Sequence, residues 1–124
     1  IEVRRLNLKL VRNRIPRIIE EQGKTPQCHL ADLEEFTQRL EDKMNEELQE
    51  FLPNPCLEEA ADIYEVLRCL CWLNRLDMED VINAADLKRI QRGGFNKGIV
   101  LEGVASEAQE KDDDWTTTSQ GERA

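Results

Sequence analysis

NEELQEFLPNPCLEEAADIYEVL, residues 45–67, is the segment from which the predicted fold follows. Its centre, Pro53-Asn54-Pro55, is a turn signal, and on both sides of it apolar residues recur every three or four positions, as in amphipathic helices. These positions are Phe36, Leu40, Met44, Leu48 and Phe51 before the turn and Ile63, Val66, Leu67, Leu70 and Leu73 after it. Because the link is short, we expect the two helices to pack antiparallel. The prediction is an all-α fold built on a helical hairpin.

Helix-start and helix-stop signals predict further helices on both sides of the hairpin. The four predicted helices run from Pro16 to about Gln22, from an Asp32 cap to near Pro53, from Leu57 to Leu76, and from Asp77 or Met78 to about Arg92. Residues 95–101 are predicted as a short trailing segment, and a short strand near either end stays open. Residues 103–124 are polar and acidic, so we expect a disordered tail after a single domain of residues 1–102.

Composition excludes several classes of protein. The formal net charge of -9 argues against a partner that is a nucleic-acid polymer, which a basic face would bind. No segment has the roughly 18 apolar residues of a membrane span, and the beginning of the sequence lacks the pattern of a secretory signal. The four cysteines form no CxxC pair, so a zinc or disulfide framework is not expected. We expect a reducing, cytoplasmic location.

Four carboxylates interrupt the apolar pattern of the hairpin. An α-helix turns about 100° per residue, so Glu47 falls inside the apolar stripe of the first hairpin helix and Glu50 at its edge. In the second hairpin helix, Glu59 falls inside the apolar arc and Asp62 beside it. Buried carboxylates repel each other and lose hydration unless a cation neutralises them. All-oxygen ligands favour Mg²⁺ or Mn²⁺ over zinc, so the pattern indicates a magnesium site.

The alternative is a solvated acidic face without a metal ion. Charged residues are 35% of the chain, and acidic pairs three apart arise easily by chance in such a composition. Glu47 and Glu59 are both predicted on the apolar sides of their helices, and this observation favours the metal site. Glu46 projects away from the stripe and is a candidate for activating a water, whereas Glu58 is expected at the surface. His29 is interpreted as a connector residue without an acidic partner.

Several motifs together resemble one known family. EELQE, residues 46–50, followed by EAAD, residues 59–62, resembles the EExxE…ExxD signature of the MazG-like, all-α nucleoside triphosphate pyrophosphohydrolases. KLVRNRIP, residues 9–16, resembles the KLVRDKIP opening of the phosphoribosyl-ATP pyrophosphohydrolase-like branch. DLEEF, residues 32–36, and KRIQRGGFNKGIVL, residues 88–101, resemble the DDEEY and KAEKRGGFEKRIVL segments of that branch. The likeness covers about residues 7–101.

The chain departs from that family at two places. Asn13 stands where the branch usually has Asp, and Arg14 stands where it has Lys, so only the second position keeps its charge. The loop between the two acidic pairs is also short for the wider family. We expect these departures to change a contact near Asn13 and to alter the shape of the pocket that would bind a nucleotide base.

The resemblance implies Mg²⁺-dependent cleavage of a nucleoside triphosphate into a monophosphate and pyrophosphate. Beside the resemblance, we expect Mn²⁺ to substitute for Mg²⁺ and purine nucleotides such as dGTP or GTP to be the substrates. The resemblance also implies metal ligands at Glu47, Glu50, Glu59 and Asp62, and catalytic roles for Glu46 and Glu47. The residues expected to bind phosphate are Lys88, Arg92, Lys97, Arg12 and Arg14. It further implies a MazG-like bundle assembled as a homodimer or homotetramer. The phosphoribosyl-ATP pyrophosphohydrolase of histidine synthesis and a non-enzymatic helical interaction module remain as alternatives.

Overall fold

Four helices make up the secondary structure of residues 8–106, the part of the chain that the computed structural model describes. They are α1 (Ile15–Glu21), α2 (Leu33–Phe51), α3 (Leu57–Leu73) and α4 (Met78–Arg92). Within this range no strand forms, and Ala105 makes an isolated β-bridge. The all-α prediction is therefore confirmed for these residues. Most of the predicted tail, residues 107–124, lies outside the described residues.

The start of α2 follows the capping prediction. Oδ1 of Asp32 accepts a hydrogen bond from the backbone N–H of Glu35 at 2.9 Å, which satisfies one of the free donors of the first turn. Glu34 and Glu35 add negative charge where the helix dipole is positive. The helix ends at Phe51, before Pro53. Glu47 and Glu50 therefore lie in the last two turns of α2.

The end of α3 was predicted at Leu76, and this boundary is wrong by one turn. The helix ends at Leu73 because Arg75 adopts a left-handed conformation with φ 62°. The N–H of Leu76 then donates to the carbonyl of Cys71 at 2.8 Å, and the side-chain amide of Asn74 donates to the carbonyl of Leu70 at 2.8 Å. This is a left-handed helix cap, which is usually formed by glycine. The apolar pattern runs through the cap and therefore did not reveal it.

Glycines end the other two helices as predicted. Gly23 follows α1 with φ 84°, and Gly93 follows α4 with φ 85°, a conformation that costs glycine little. Residues 95–101 contain a turn in which the N–H of Gly98 donates to the carbonyl of Phe95 at 3.0 Å. No helix forms in this trailing segment.

The hairpin is the packed part of the structure. α2 and α3 contact each other and are joined by residues 52–56, a link short enough to make them antiparallel. Leu40, Val66 and Cys71 are the buried apolar residues, and Leu40 is only 1% exposed. Glu47 is buried with them, as the one buried charged residue of the described chain. The end of α2 and the beginning of α3 thus share a region that contains both acidic pairs.

The chain divides into two compact units between Asp86 and Leu87, inside α4. The first unit contains α1, α2, α3 and the first turns of α4, and the second begins with the last turns of α4. The predicted domain boundary between residues 102 and 103 stays a prediction. Among the described residues, no helix is both long enough and apolar enough to cross a membrane.

Candidate metal centre

Three of the four predicted metal ligands meet at the closed end of the hairpin. Glu47 and Glu50 lie one turn apart in α2, and Glu59 lies in the first turn of α3. Each contributes one carboxylate oxygen to a group in which all three atoms lie within 4.8 Å of one another. We refer to Glu47, Glu50 and Glu59 as the carboxylate cluster.

Glu47 is the buried member of the cluster, as its phase on the helix predicted. The residue is only 5% exposed. Its Oε1 is buried and has no hydrogen-bond partner among the described residues, and the same is true of Oε1 of Glu59. A buried carboxylate oxygen without a donor is unfavourable, because its hydration is lost without replacement. Both oxygens therefore have acceptor capacity that no described residue satisfies.

The environment of the cluster favours protonation of two of its carboxyls. Burial raises the pKa of Glu47, the negative charges of Glu50 and Asp62 raise it further, and Lys43 opposes the rise. Burial also raises the pKa of Glu59, followed by the negative charges of Glu50 and Asp62. Without a cation, the ionised forms are thus destabilised both by burial and by mutual repulsion.

Lys43 is an internal counter-ion that sequence reasoning missed. Its Nζ lies 3.4 Å from Oε2 of Glu47 and 3.3 Å from Oε1 of Glu46. Burial lowers the pKa of Lys43, but the hydrogen bonds and charges of Glu46 and Glu47 outweigh this effect and raise it. A lysine four positions before an inward glutamate on one helix was the available signal. Glu46, the residue predicted to activate a water, therefore shares a cation with the buried Glu47.

Asp62, the fourth predicted ligand, does not belong to the group of three. Its Oδ1 accepts a hydrogen bond of 2.7 Å from Nη2 of Arg12, and both side chains are partly exposed, at 38% and 57%. Arg12 belongs to residues 8–14, which precede α1 and which we call the arm. The charge of Asp62 still raises the pKa of Glu47 and Glu59. The fourth carboxylate is therefore part of the same charge environment but has its own cation.

The other predicted phosphate-binding residues are exposed. Arg14 is exposed immediately before α1. Lys88 and Arg92, in the last turns of α4, and Lys97 are exposed and belong to the second unit. Lys9, on the arm, lines a cleft of about 420 Å³ together with Lys43 and Glu46. The roles of Arg14, Lys88, Arg92 and Lys97 in phosphate binding stay predictions.

The interpretation of His29 as a residue without an acidic partner is wrong. Its Nε2 lies 3.0 Å from both carboxylate oxygens of Glu35, in the first turn of α2. Glu35 is also paired with Arg39, whose Nη2 lies 3.1 Å from Oε2. The hydrogen bond from His29, followed by that from Arg39, lowers the pKa of Glu35. His29 therefore attaches the segment between α1 and α2 to the beginning of α2.

The carboxylate cluster fits a hard divalent cation. All of its donors are oxygens, which Mg²⁺ and Mn²⁺ prefer. Among the described residues, Oε1 of Glu47 and Oε1 of Glu59 are buried without hydrogen-bond partners. Comparisons of the chain with family models, curated proteins and solved structures find no match. Evidence for a function therefore comes from the carboxylate geometry and from the sequence motifs that resemble the MazG-like family.

Proposed function

We propose that this chain is a Mg²⁺-dependent nucleoside triphosphate pyrophosphohydrolase. The observation that carries the proposal is Glu47, which is 5% exposed and has an unpartnered Oε1 within the cluster of three carboxylates. Glu47, Glu50, Glu59 and Asp62 would hold the ion, with Mn²⁺ as a substitute. Exposed acidic groups are common in proteins without metals, whereas a buried carboxylate beside two others requires a neutralising partner.

The proposed reaction breaks the bond between the α-phosphorus and the oxygen that bridges to the β-phosphorus. When bound, Mg²⁺ supplies positive charge beside the phosphate oxygens and lowers the pKa of a bound water. A water oxygen forms the new bond to the α-phosphorus, and pyrophosphate leaves with the bridging oxygen. Glu46 accepts the proton of the attacking water, and Lys43, 3.3 Å away, keeps Glu46 in place. No nucleophilic side chain is needed.

Cationic side chains are required to bind the outer phosphates. Lys88, Arg92, Lys97, Arg12 and Arg14 are the proposed donors. Arg12 donates one hydrogen bond from Nη2 to Asp62, and its other N–H groups are the donors proposed for a phosphate oxygen. We further propose that the enzyme acts on the cytoplasmic nucleotide pool, with purine triphosphates such as dGTP or GTP as preferred substrates.

Apolar surface on α3 supports the proposal of a homodimer or homotetramer. Tyr64, Leu67 and Trp72 are exposed on this helix, and Trp72 is 68% exposed. Aromatic and aliphatic residues of this kind are typical of the cores of protein interfaces. A second copy of the chain would cover them and could complete a nucleotide pocket.

A non-enzymatic interaction module is the second candidate, and one observation favours it. Lys43 already pairs with Glu47, and Arg12 already pairs with Asp62, so protein cations offset part of the negative charge. The acidic residues would then form a structural network. The phosphoribosyl-ATP pyrophosphohydrolase reaction, the alternative enzyme activity, would use the same metal site on a different substrate.

One assay distinguishes these functions. The full chain is incubated with Mg²⁺ and a panel of canonical and modified triphosphates and phosphoribosyl-ATP, and pyrophosphate and orthophosphate are quantified. We expect pyrophosphate and a monophosphate from simple triphosphates, loss of turnover in Glu47→Gln, and normal turnover in Glu58→Gln, a matched change of an exposed glutamate. Orthophosphate alone would exclude attack at the α-phosphorus. Turnover of phosphoribosyl-ATP alone would identify the alternative enzyme, and no turnover would favour the module.

A further inference from the structure

Arg12 holds the one predicted metal ligand that stays outside the carboxylate cluster. We propose that Arg12 is a displaceable cation: the arm is attached to Asp62 in the metal-free protein and leaves it when a divalent ion binds. The inference rests on the proposed metal site and adds a conformational response of the arm to it. It also assigns Arg12 a role in metal binding, as a competitor for a ligand.

The two cations that pair with the acidic residues, Lys43 and Arg12, differ in how firmly the structure holds them. Lys43 lies on the same helix as Glu46 and Glu47, and its side chain is only 22% exposed. Arg12 lies 50 positions before Asp62 in the chain and is 57% exposed, in a segment without regular secondary structure. The helix therefore keeps Lys43 beside its partners, whereas Arg12 can leave when the arm moves.

A divalent ion and the guanidinium compete for Asp62. Oδ1 of Asp62 accepts the hydrogen bond from Arg12 at 2.7 Å, so the guanidinium occupies one acceptor position of this carboxylate and offsets the negative charge that would attract an ion. The two positive charges would also repel each other across a single carboxylate. An exposed ion pair is weak, and Arg12 is therefore the partner that yields.

Among the described residues, few other polar contacts attach the arm to the hairpin. Nη1 of Arg39 donates to the carbonyl of Leu8 at 3.5 Å, a long hydrogen bond. The N–H of Ile15 donates to the carbonyl of Arg12 at 3.0 Å, but this bond joins the arm to α1. The 2.7 Å bond to Asp62 is thus the stronger of the two polar links to the hairpin, and its loss would loosen the arm.

The first test measures competition directly. The dissociation constant of Mn²⁺ is determined by electron paramagnetic resonance for the full chain, for Arg12→Gln and for Arg17→Gln. The control removes the same charge from Arg17, an exposed arginine whose one ion pair within residues 8–106 is with Glu21, at 3.6 Å. We expect Arg12→Gln to bind Mn²⁺ about two- to fivefold more tightly, the range that corresponds to an exposed ion pair, and Arg17→Gln to match the original chain. Unchanged or weaker binding in Arg12→Gln overturns the inference, as does equal tightening in both variants.

The second test follows the arm without measuring activity. Trypsin cleavage after Lys9 is compared with cleavage after Arg75, in the turn that follows α3, with and without Mn²⁺. We expect Mn²⁺ to increase the ratio of cleavage after Lys9 to cleavage after Arg75 in the original chain. In Arg12→Gln this ratio should be high both with and without Mn²⁺. A ratio that Mn²⁺ does not increase in the original chain overturns arm release. If the original chain binds no Mn²⁺ at all, the proposed function fails together with the inference; binding without competition refutes the inference alone.

Discussion

The ammonium nitrogen of Lys43 lies 3.4 Å from Oε2 of Glu47, one turn further along α2. The pair is shielded from solvent, since the two side chains are 22% and 7% exposed. A charge pair in such surroundings matters mainly because removing one partner leaves the other without compensation. The stability of the hairpin in the absence of metal therefore depends on this lysine.

Lys43→Met is expected to destabilise the metal-free protein by about 1–3 kcal/mol at pH 7, because Glu47 loses its nearby cation. The free energy of unfolding is measured by urea denaturation in EDTA. Lys24→Gln, at an exposed position after Gly23, is the control and should change it by less than about 0.5 kcal/mol. Equal effects of the two substitutions would show that Lys43 does not stabilise the buried carboxylate.

Glu47→Gln is expected to stabilise the metal-free protein at neutral pH and to lose this advantage in acid. The pKa of Glu47 is raised above its ordinary value of 4.5 in the folded protein, so the unfolded chain loses this proton first as pH rises. Folding stability that comes from the protonated form is complete below 4.5 and is lost as pH rises through the folded-state pKa.

The substitution removes this pH dependence. In EDTA, Glu47→Gln should therefore have a larger free energy of unfolding than the original protein at pH 8, and the difference should shrink as the pH falls towards 4.5. Urea denaturation at the two pH values measures the difference. An unchanged difference across this range would mean that Glu47 carries no penalty for ionisation.

Glu59→Gln is expected to reduce stabilisation by Mg²⁺, whereas Glu58→Gln is not. The two residues are adjacent in α3, but only Glu59 contributes an oxygen to the carboxylate cluster. At an ion concentration of about 100 times the dissociation constant, binding stabilises a protein by about 2.7 kcal/mol, and a tenfold weaker site reduces this to about 1.4 kcal/mol. Thermal unfolding with and without Mg²⁺ measures the change. Equal responses of both variants would place the ion elsewhere.

Arg75→Gly is expected to stabilise the protein by about 0.5–1 kcal/mol. Arg75 has φ 62°, a conformation that is unfavourable for a residue with a Cβ atom and readily adopted by glycine. Arg75→Ala is the matched control, because it removes the side chain while retaining the conformational cost. The free energies of unfolding of the two variants are compared in urea. If the glycine variant were the less stable one, the helix cap would not be strained.

The sequence predicted the helices well where local chemistry defines their ends. Asp32 supplies a side-chain cap, and Gly23 and Gly93 supply positive φ angles, so all three boundaries could be predicted from residue type. The end of α3 could not, because Arg75 adopts the left-handed conformation without a sequence signal for it.

The acidic part of the site could be predicted because it follows from helix phase. The burial of Glu47 and its meeting with Glu50 and Glu59 depend on periodicity and on a short turn. The pairing of Asp62 with Arg12 depends on where the arm lies, 50 positions away in the chain, and periodicity contains no such information. Lys43 was within reach of sequence analysis, since its spacing from Glu47 is local.

The short connection between α2 and α3, residues 52–56, also affects how the protein folds. Glu47, Glu50 and Glu59 are close in sequence, so bringing them together requires closure of only a small loop, which has a low entropic cost. Contacts between residues that are near in sequence form early in folding. Formation of the hairpin therefore gathers three negative charges at the outset, and the concentration of divalent cations around the nascent chain would influence its folding rate.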